Sequence, residues 1–261
     1  MDFNERNLIT ALKGMAIGRP LYFLGETEST NTFAFGLADQ GAPEGTVVIA
    51  NSQTEGRGRL KRPWESPPDV NLYASVILKP DIAPSLAPCL TLMAGVAVAD
   101  LVSSCCPGGV HLKWPNDVQV NKKKIAGILS EIKIVEKKIK FVILGLGINI
   151  NLRREAIPHP LKGIATSLLE ETGIVWPRVE IVAHLFDNIA RWYDVFLTEG
   201  FRDIRDRWLL YAPLEDTEVT CGTDKYRGRV TGIAETGALE LTAADGGLLK
   251  VIAGDVSYVQ G

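Results

Sequence analysis

Residues 90–102 place Leu, Met, Val, Ala and Gly on nearly every face of a helix, and a helix of that kind is stable only when it is covered on all sides. The small residues allow close backbone approach, so the pattern predicts a central helix lying under a sheet. A chain of 261 residues with 46% hydrophobic content can supply that cover, and the same composition excludes disorder, collagen and coiled coil as the main state. The charge-free run between Asp81 and Asp100 approaches the ~18 residues of a membrane span. Pro84, Ser85, Pro88 and Thr91 interrupt it, so it reads as a loop leading into the buried helix, and no membrane association is expected. The first 13 residues lack the apolar core of a signal peptide, which makes the cytoplasm the expected location.

Strands are predicted at residues 21–24, 46–50 and 72–78, short β-branched and aromatic runs bounded by Gly, Pro and Asn. Between the first two, Ser29, Thr30 and Asn31 can cap a helix carrying Phe33, Leu37 and Ala38, which Gly41 stops. Strands at 110–114, 117–121, 125–132 and 139–150 follow as hairpins, with turns at Lys122-Lys123-Lys124 and Glu136-Lys137-Lys138. Val179, Val182, Phe186, Ile189, Tyr193 and Phe196 then lie on one helical stripe, with Pro177 suited to its first turn. A second helix spans about 201–210. From residue 213 onward the chain turns to short strands broken by Gly222, Gly228, Gly232, Gly237, Gly246-Gly247 and Gly254. The expected fold is α+β: a mixed, mostly antiparallel sheet with packed helices over residues 1–212, and a small barrel over 213–261 that leans on the larger unit.

A net charge of −3 gives none of the global cationic field of a general nucleic-acid or membrane-surface binder. Four cysteines form no C-x-x-C pair and three histidines show no metal-ligand spacing, so neither a zinc site nor histidine-centred catalysis is indicated.

The unusual segment is Gln53-Thr54-Glu55-Gly56-Arg57-Gly58-Arg59-Leu60-Lys61-Arg62-Pro63-Trp64. Gly56 and Gly58 flank Arg57, so the backbone can bend around an anion while guanidiniums supply planar donors; Trp64 can stack on a flat base. On composition alone a solvated basic loop with Trp64 tucked into the core reads equally well. Asn116 and Asp117 project from a tight connection, where Asp117 suits a Mg²⁺ ion carried on phosphates or an Asx turn closing a hairpin. Lys124 opens a strand whose Ala126 and Gly127 leave room for a ligand, or is a hairpin-tip lysine like Lys122 and Lys123. Gly145-Leu146-Gly147-Ile148-Asn149 has Ile150 where a dinucleotide fingerprint needs its third glycine, and no phosphate-loop motif occurs.

Taken together these residues resemble biotin protein ligases. The landmarks run in order: Glu28-Ser29-Thr30-Asn31, Gln53, Gly56-Arg57-Gly58-Arg59, Arg62, Trp64 before Ser66-Pro67, and Asn71-Leu72-Tyr73. Then come the stretches 113–117, 124–127, 145–149 and Ala165-Thr166-Ser167-Leu168. The similarity extends from about residue 21 to the C-terminus, where the tail is similar to the family's SH3-like domain. Two departures are Leu60-Lys61, where many members have a further Gly, and Asp69, where Gly is frequent.

The resemblance implies ATP-dependent activation of biotin to biotinyl-5′-AMP and its transfer to a lysine of the biotin carboxyl carrier domain of acetyl-CoA carboxylase or a related carboxylase. It implies biotin contacts from Ser29, Thr30, Asn31, Gln53, Gly56, Arg57, Gly58, Arg59, Lys124 and Gly127. It places Arg59, Arg62, Trp64, Asn116, Asp117 and Asn149 on the ATP side, Mg²⁺ at Asp117, and catalysis on Arg57, Lys124 and Asp117. A homodimer built on the sheet is a further expectation of the family. The roughly 20 residues before the first strand are too few for the DNA-binding module of larger members, so the monofunctional type, without DNA, is expected. One rival is a lipoate or octanoate ligase or transferase on the same fold. Another is a non-catalytic single-stranded nucleic-acid binder using Arg57, Arg59, Arg62 and Trp64; the net charge and 7% aromatic content argue against it.

Overall fold

The structure, a computed structural model, describes residues 2–212, 218–221, 226–254 and 256–258. The elements of its larger part are α1 (Glu5–Ala11), β1 (Leu21–Thr27), α2 (Thr30–Asp39), β2 (Val47–Gln53), β3 (Leu72–Leu78), α3 (Ala87–Cys105), β4 (Val110–Lys113), β5 (Asp117–Val120), β6 (Lys123–Val135), β7 (Lys138–Ile148), α4 (Leu168–Thr172), α5 (Arg178–Glu199) and α6 (Arg202–Tyr211). The later strands are β8 (Glu218–Cys221), β9 (Tyr226–Ile233), β10 (Leu239–Thr242), β11 (Leu248–Val251) and β12 (Val256–Tyr258). Seven strands form one sheet in the order β1-β2-β3-β7-β6-β5-β4. Only β1 and β2 pair in parallel; the other neighbours are antiparallel. Strands β8 to β12 make a second, antiparallel sheet. This is the expected α+β arrangement.

Helix α3 is the centre. Thirteen of its residues are buried, and Gly95 passes so close to β4 that an added Cβ would sit 3.4 Å from Leu112. By length and composition residues 84–105 could cross a membrane, yet sheet and helices cover them: Val118, Ile128, Leu144 and Leu146 on one side, Leu185, Phe186, Ile189 and Trp208 on the other. Its single charge, Asp100, is met by Arg191, Trp192, Arg207 and Tyr211. Helix α2 takes the opposite face of the sheet, where Ala34 and Ala38 pack on Val48, Ile77, Phe141 and Ile143. Strand alternation therefore splits the sheet into a face sealed by α3 and a face that α2 covers only in part.

Several boundaries differ from the sequence expectation. Lys123 and Lys124 belong to β6 and Lys138 to β7, because each hairpin turns on two residues alone. Those pairs, Asn121-Lys122 and Glu136-Lys137, have φ between 50° and 66°, the left-handed geometry that matches strand twist. Pro177 is the cap of α5 instead of a residue of its first turn. Helix α1 was not anticipated, although Asn4 accepts from the Asn7 amide at its start and Leu8 and Leu12 are buried one turn apart.

The second sheet shares the main core: Val230, Ile233, Leu239, Leu241, Val251 and Val256 join the cluster built around α3. Bonds that tie it down include Trp114 Nε1 donating to Gly237 O at 3.0 Å and the Cys89 thiol donating to Glu235 O at 3.3 Å. Burial pushes the Cys89 thiol up to about 12, so it donates instead of ionising. The expected boundary just past Ala212 and the expected break at Gly222 fall on residues outside those described. Replacing Trp114 by Phe keeps the ring in its buried place but removes the donor to Gly237. A loss of about 1–3 kcal/mol is expected, the penalty for a buried group left unpaired, read as a lower urea midpoint with unchanged slope.

Candidate active site

The open face of the sheet is built around three glycines. In register, Tyr73, Gly147, Gly127 and Asp117 form one row across β3, β7, β6 and β5. Ser75, Gly145 and Leu129 form the next. A Cβ on Gly147 would come within 2.6 Å of the Trp64 indole, and one on Gly127 would lie 3.1 Å from both Trp64 and Lys124. A Cβ on Gly145 would overlap the Asn31 amide. Bare backbone lets both side chains lie flat against the sheet.

Residues 56–64 form a small hairpin of their own. Trp64 N donates to Gly56 O at 2.8 Å and Gly58 N to Arg62 O at 2.7 Å, with Arg57 opposite Pro63. Gly56 is sterically required, since a Cβ there would meet Trp64 O and Ser66 Oγ within 2.6 Å. Gly58 is not, and neither glycine has positive φ. The left-handed positions are the tip residues Leu60 and Lys61, at φ 54° and 58°, a conformation costing roughly 1–2 kcal/mol for a non-glycine residue. At the far end of the loop Asp69, at φ 68°, exchanges bonds with Asn51, and the Arg178 guanidinium reaches Asn51 and Asp69 while stacking 3.9 Å from Phe3.

At the start of α2, Ser29 is the cap, 3% exposed. Both the backbone N–H and the hydroxyl of Thr30 reach Gln53 Oε1, at 2.9 and 3.2 Å, and Gln53 Nε2 donates to Ser66 Oγ at 2.9 Å. Asn31 Nδ2 donates to Glu131 Oε2 at 2.8 Å, and the same carboxylate accepts from Arg57 at 3.2 Å.

On the other side of Trp64, Lys124 Nζ stands 5.3 Å over the indole and 2.5 Å from Asp117 Oδ1. A bulge between β5 and β6 buries Ile125 and Ala126 in succession and so turns Lys124 onto the same face as Gly127. Asn116 donates to Ile128 O and accepts from Arg59, which also donates to Gly254 O. Among the described residues the buried indole N–H of Trp64 has no acceptor, which is uncommon for a buried donor.

Most residues singled out from sequence therefore converge: Thr30, Asn31, Gln53, Gly56, Arg57, Arg59, Trp64, Asn116, Asp117, Lys124 and Gly127 surround one shelf. Asn149 sits behind it, its amide spent on Asn71 and on Thr166 O. Arg62 is exposed on the outer strand of the loop hairpin. Sequence reasoning passed over Ser75 and Glu131. Period-two alternation carries the signal for both, since Ser75 follows Tyr73 on its face and Glu131 follows Gly127 and Leu129. A separate cleft of about 640 Å³ lies on the helical side, lined by Asp100, His184, Arg191, Trp192, Arg207 and Tyr211; it shares no residue with the shelf.

Residues 24–149 match the biotin/lipoate A/B protein ligase family, and residues 217–259 match the biotin protein ligase C terminal domain. The chain is 35% identical over 255 residues to the bifunctional ligase/repressor BirA of Bacillus subtilis, covering 97% of this chain and 78% of the relative. It is 33% identical to the biotin–[acetyl-CoA-carboxylase] ligase of Paracoccus denitrificans, over 85% of this chain and 94% of the relative. In three dimensions it resembles the biotin protein ligase from Aquifex aeolicus in complex with biotin and ATP, with a TM-score of 0.77, 30% identity, and 93% and 100% of the two chains covered.

The contact between Trp64 and the glycine shelf is open to a direct test. Gly147→Ala is expected to displace the indole, changing the protein's tryptophan emission. The same substitution made in a Trp64→Phe background should leave emission unchanged; an equal change in both backgrounds would place the indole elsewhere.

Proposed function

The chain belongs to the biotin protein ligase family, and from that premise we propose that this shelf activates biotin with ATP to biotinyl-5′-AMP and passes the biotinyl group to a lysine of a carboxylase's biotin carboxyl carrier domain. The observation that carries the reading is convergence. The start of α2, the end of β2, the arginine hairpin, the β4–β5 connection and the bulged start of β6 lie apart in sequence yet meet around Gly127 and Gly147. Each brings groups suited to anions or to a flat polar ligand.

The chemistry matches those groups. A carboxylate is ionised at neutral pH and needs no general base to attack the α-phosphate; as its oxygen bonds phosphorus, pyrophosphate leaves. What the protein must do is hold two anions together and offset the negative charge that gathers between them. Arg57, Arg59 and Lys124 supply that charge, the Thr30–Gln53 pair offers polar groups for the ureido ring, and Trp64 offers an aromatic face. Asp117 holds Lys124 in place and provides the one carboxylate needed by a Mg²⁺ ion that arrives on the nucleotide, where the ion would add to the neutralisation. In the second half-reaction a neutral lysine amine attacks the mixed anhydride and AMP departs, so water has to be kept out until the acceptor docks. Leu60, 69% exposed at the hairpin tip, puts an apolar side chain where the loop would close.

Exposed Ile132, Ile134 and Val135 near the outer end of β6 give a second copy something to bury and support a homodimer. The need for ATP supports a cytoplasmic setting.

The direct test is biotin-dependent exchange of pyrophosphate into ATP. Arg57→Ala is expected to reduce it by about 10²–10³, the usual effect of removing one donor at a centre of developing charge; wild-type exchange in that variant would remove Arg57 from the reaction. Lys124→Ala should weaken biotin binding far more than Lys122→Ala, since Lys124 faces the shelf and Lys122 occupies the hairpin turn. Superimposable titrations of the two variants would take Lys124 out of the site.

A further inference from the structure

A polar chain runs beneath the shelf and ties both strands of the arginine hairpin to the sheet. At one end the Glu131 carboxylate accepts from Arg57 through both oxygens, at 3.2 and 3.3 Å, and from Asn31 at 2.8 Å. Asn31 Oδ1 accepts from Ser75 at 2.6 Å, and Ser75 Oγ lies 2.8 Å from the Thr30 hydroxyl. Thr30 reaches Gln53, Gln53 reaches Ser66, and Ser66 closes the chain on the carbonyl of Trp64 at 3.0 Å. Ser75, Thr30, Asn31 and Ser66 are 0%, 4%, 4% and 8% exposed, so every bond in the interior counts and a break at one point leaves its neighbours unpaired. Arg57 and Glu131 form the half-exposed end, with side chains 39% and 32% accessible. A surface ion pair of that kind adds little to overall stability. Its geometry is nevertheless specific: one guanidinium nitrogen is spent on Glu131, and the carboxylate that receives it is carried on β6, in the middle of the sheet and outside the loop.

We propose that Glu131 is the positioning residue for Arg57, holding its guanidinium against the sheet so that the remaining donors are already aimed over the shelf when the acid arrives. The inference rests on the functional reading above, in which Arg57 contacts biotin. Without Glu131 the guanidinium must be ordered at the moment of binding, and that ordering is subtracted from affinity.

Glu131→Gln keeps an oxygen for Asn31 and removes the charge, so it tests the Arg57 arm alone. It is expected to weaken biotin binding about 10-fold in the wild type and less than about 2-fold in an Arg57→Ala background, the non-additivity of residues in direct contact. The KM for ATP and the melting temperature should be unchanged. Equal losses in both backgrounds, or no loss in the wild type, would overturn the proposal. If Arg57→Ala alone leaves biotin binding intact, the functional reading fails instead. A second measurement needs no ligand: limited trypsin digestion should cut Glu131→Gln after Arg59 faster than wild type. Arg57→Gln, which breaks the same pair from the loop side and leaves the core untouched, should be cut equally fast, and wild-type rates in both would refute the anchoring.

Discussion

With α3 sealing one side of the seven-stranded sheet, the candidate site lies on the other, and how close anything comes there is set by Gly127, Gly145 and Gly147. Side chains at those positions would stand between the strands and whatever lies on them. Their absence lets Asn31 press on β7 and lets the Trp64 indole lie across β6 and β7. Each glycine interrupts a strand otherwise rich in β-branched residues, where it weakens packing and ladder. The fold tolerates that loss because the opposite face of the same strands, with Ala126, Ile128, Leu144, Leu146 and Ile148, is fully buried against α3.

The arginine hairpin is less a flexible lid than a strained one. Its strain sits at Leu60 and Lys61, both left-handed, while the flanking glycines adopt ordinary geometry. The base of the hairpin is fastened three ways: by its own backbone bonds, by the polar chain from Glu131 to Ser66, and by the Asn51–Asp69–Arg178 cluster further along. A segment held at its base and strained at its tip concentrates its conformational cost at the tip.

The second sheet takes part in this arrangement. Its apolar residues complete the core around α3, and Gly254, between β11 and β12, accepts a bond from Arg59. One arginine of the hairpin thus connects the shelf to the C-terminal strands, so the placement of Arg59 depends on how those strands pack beside Trp114 and Cys89.

Much of this was legible from residues alone. The apolar 90–102 stretch required a covered helix, the β-branched runs required strands, and the mixture of cations, glycines and tryptophan between Gln53 and Trp64 stood out as a segment suited either to an anion or to solvent, because each signal is local and carried by residue type. Short-range geometry already blurred: the lysine runs do not reveal that each hairpin turns on only two residues, and α1 is too short for its period to stand out. Composition also left undecided whether Trp64 joins the core or faces a ligand. In the tertiary structure the ring is half-buried and packed on the bare backbone of β6 and β7, outside the main core, and its N–H has no acceptor among the described residues. The partners of Arg57, Lys124 and Asn31 were likewise beyond the sequence. Glu131 lies 74 residues from Arg57 and 100 from Asn31, and a bulge re-aims Lys124 by one position. Such contacts depend on strand register, and register is chosen by burial across the whole sheet.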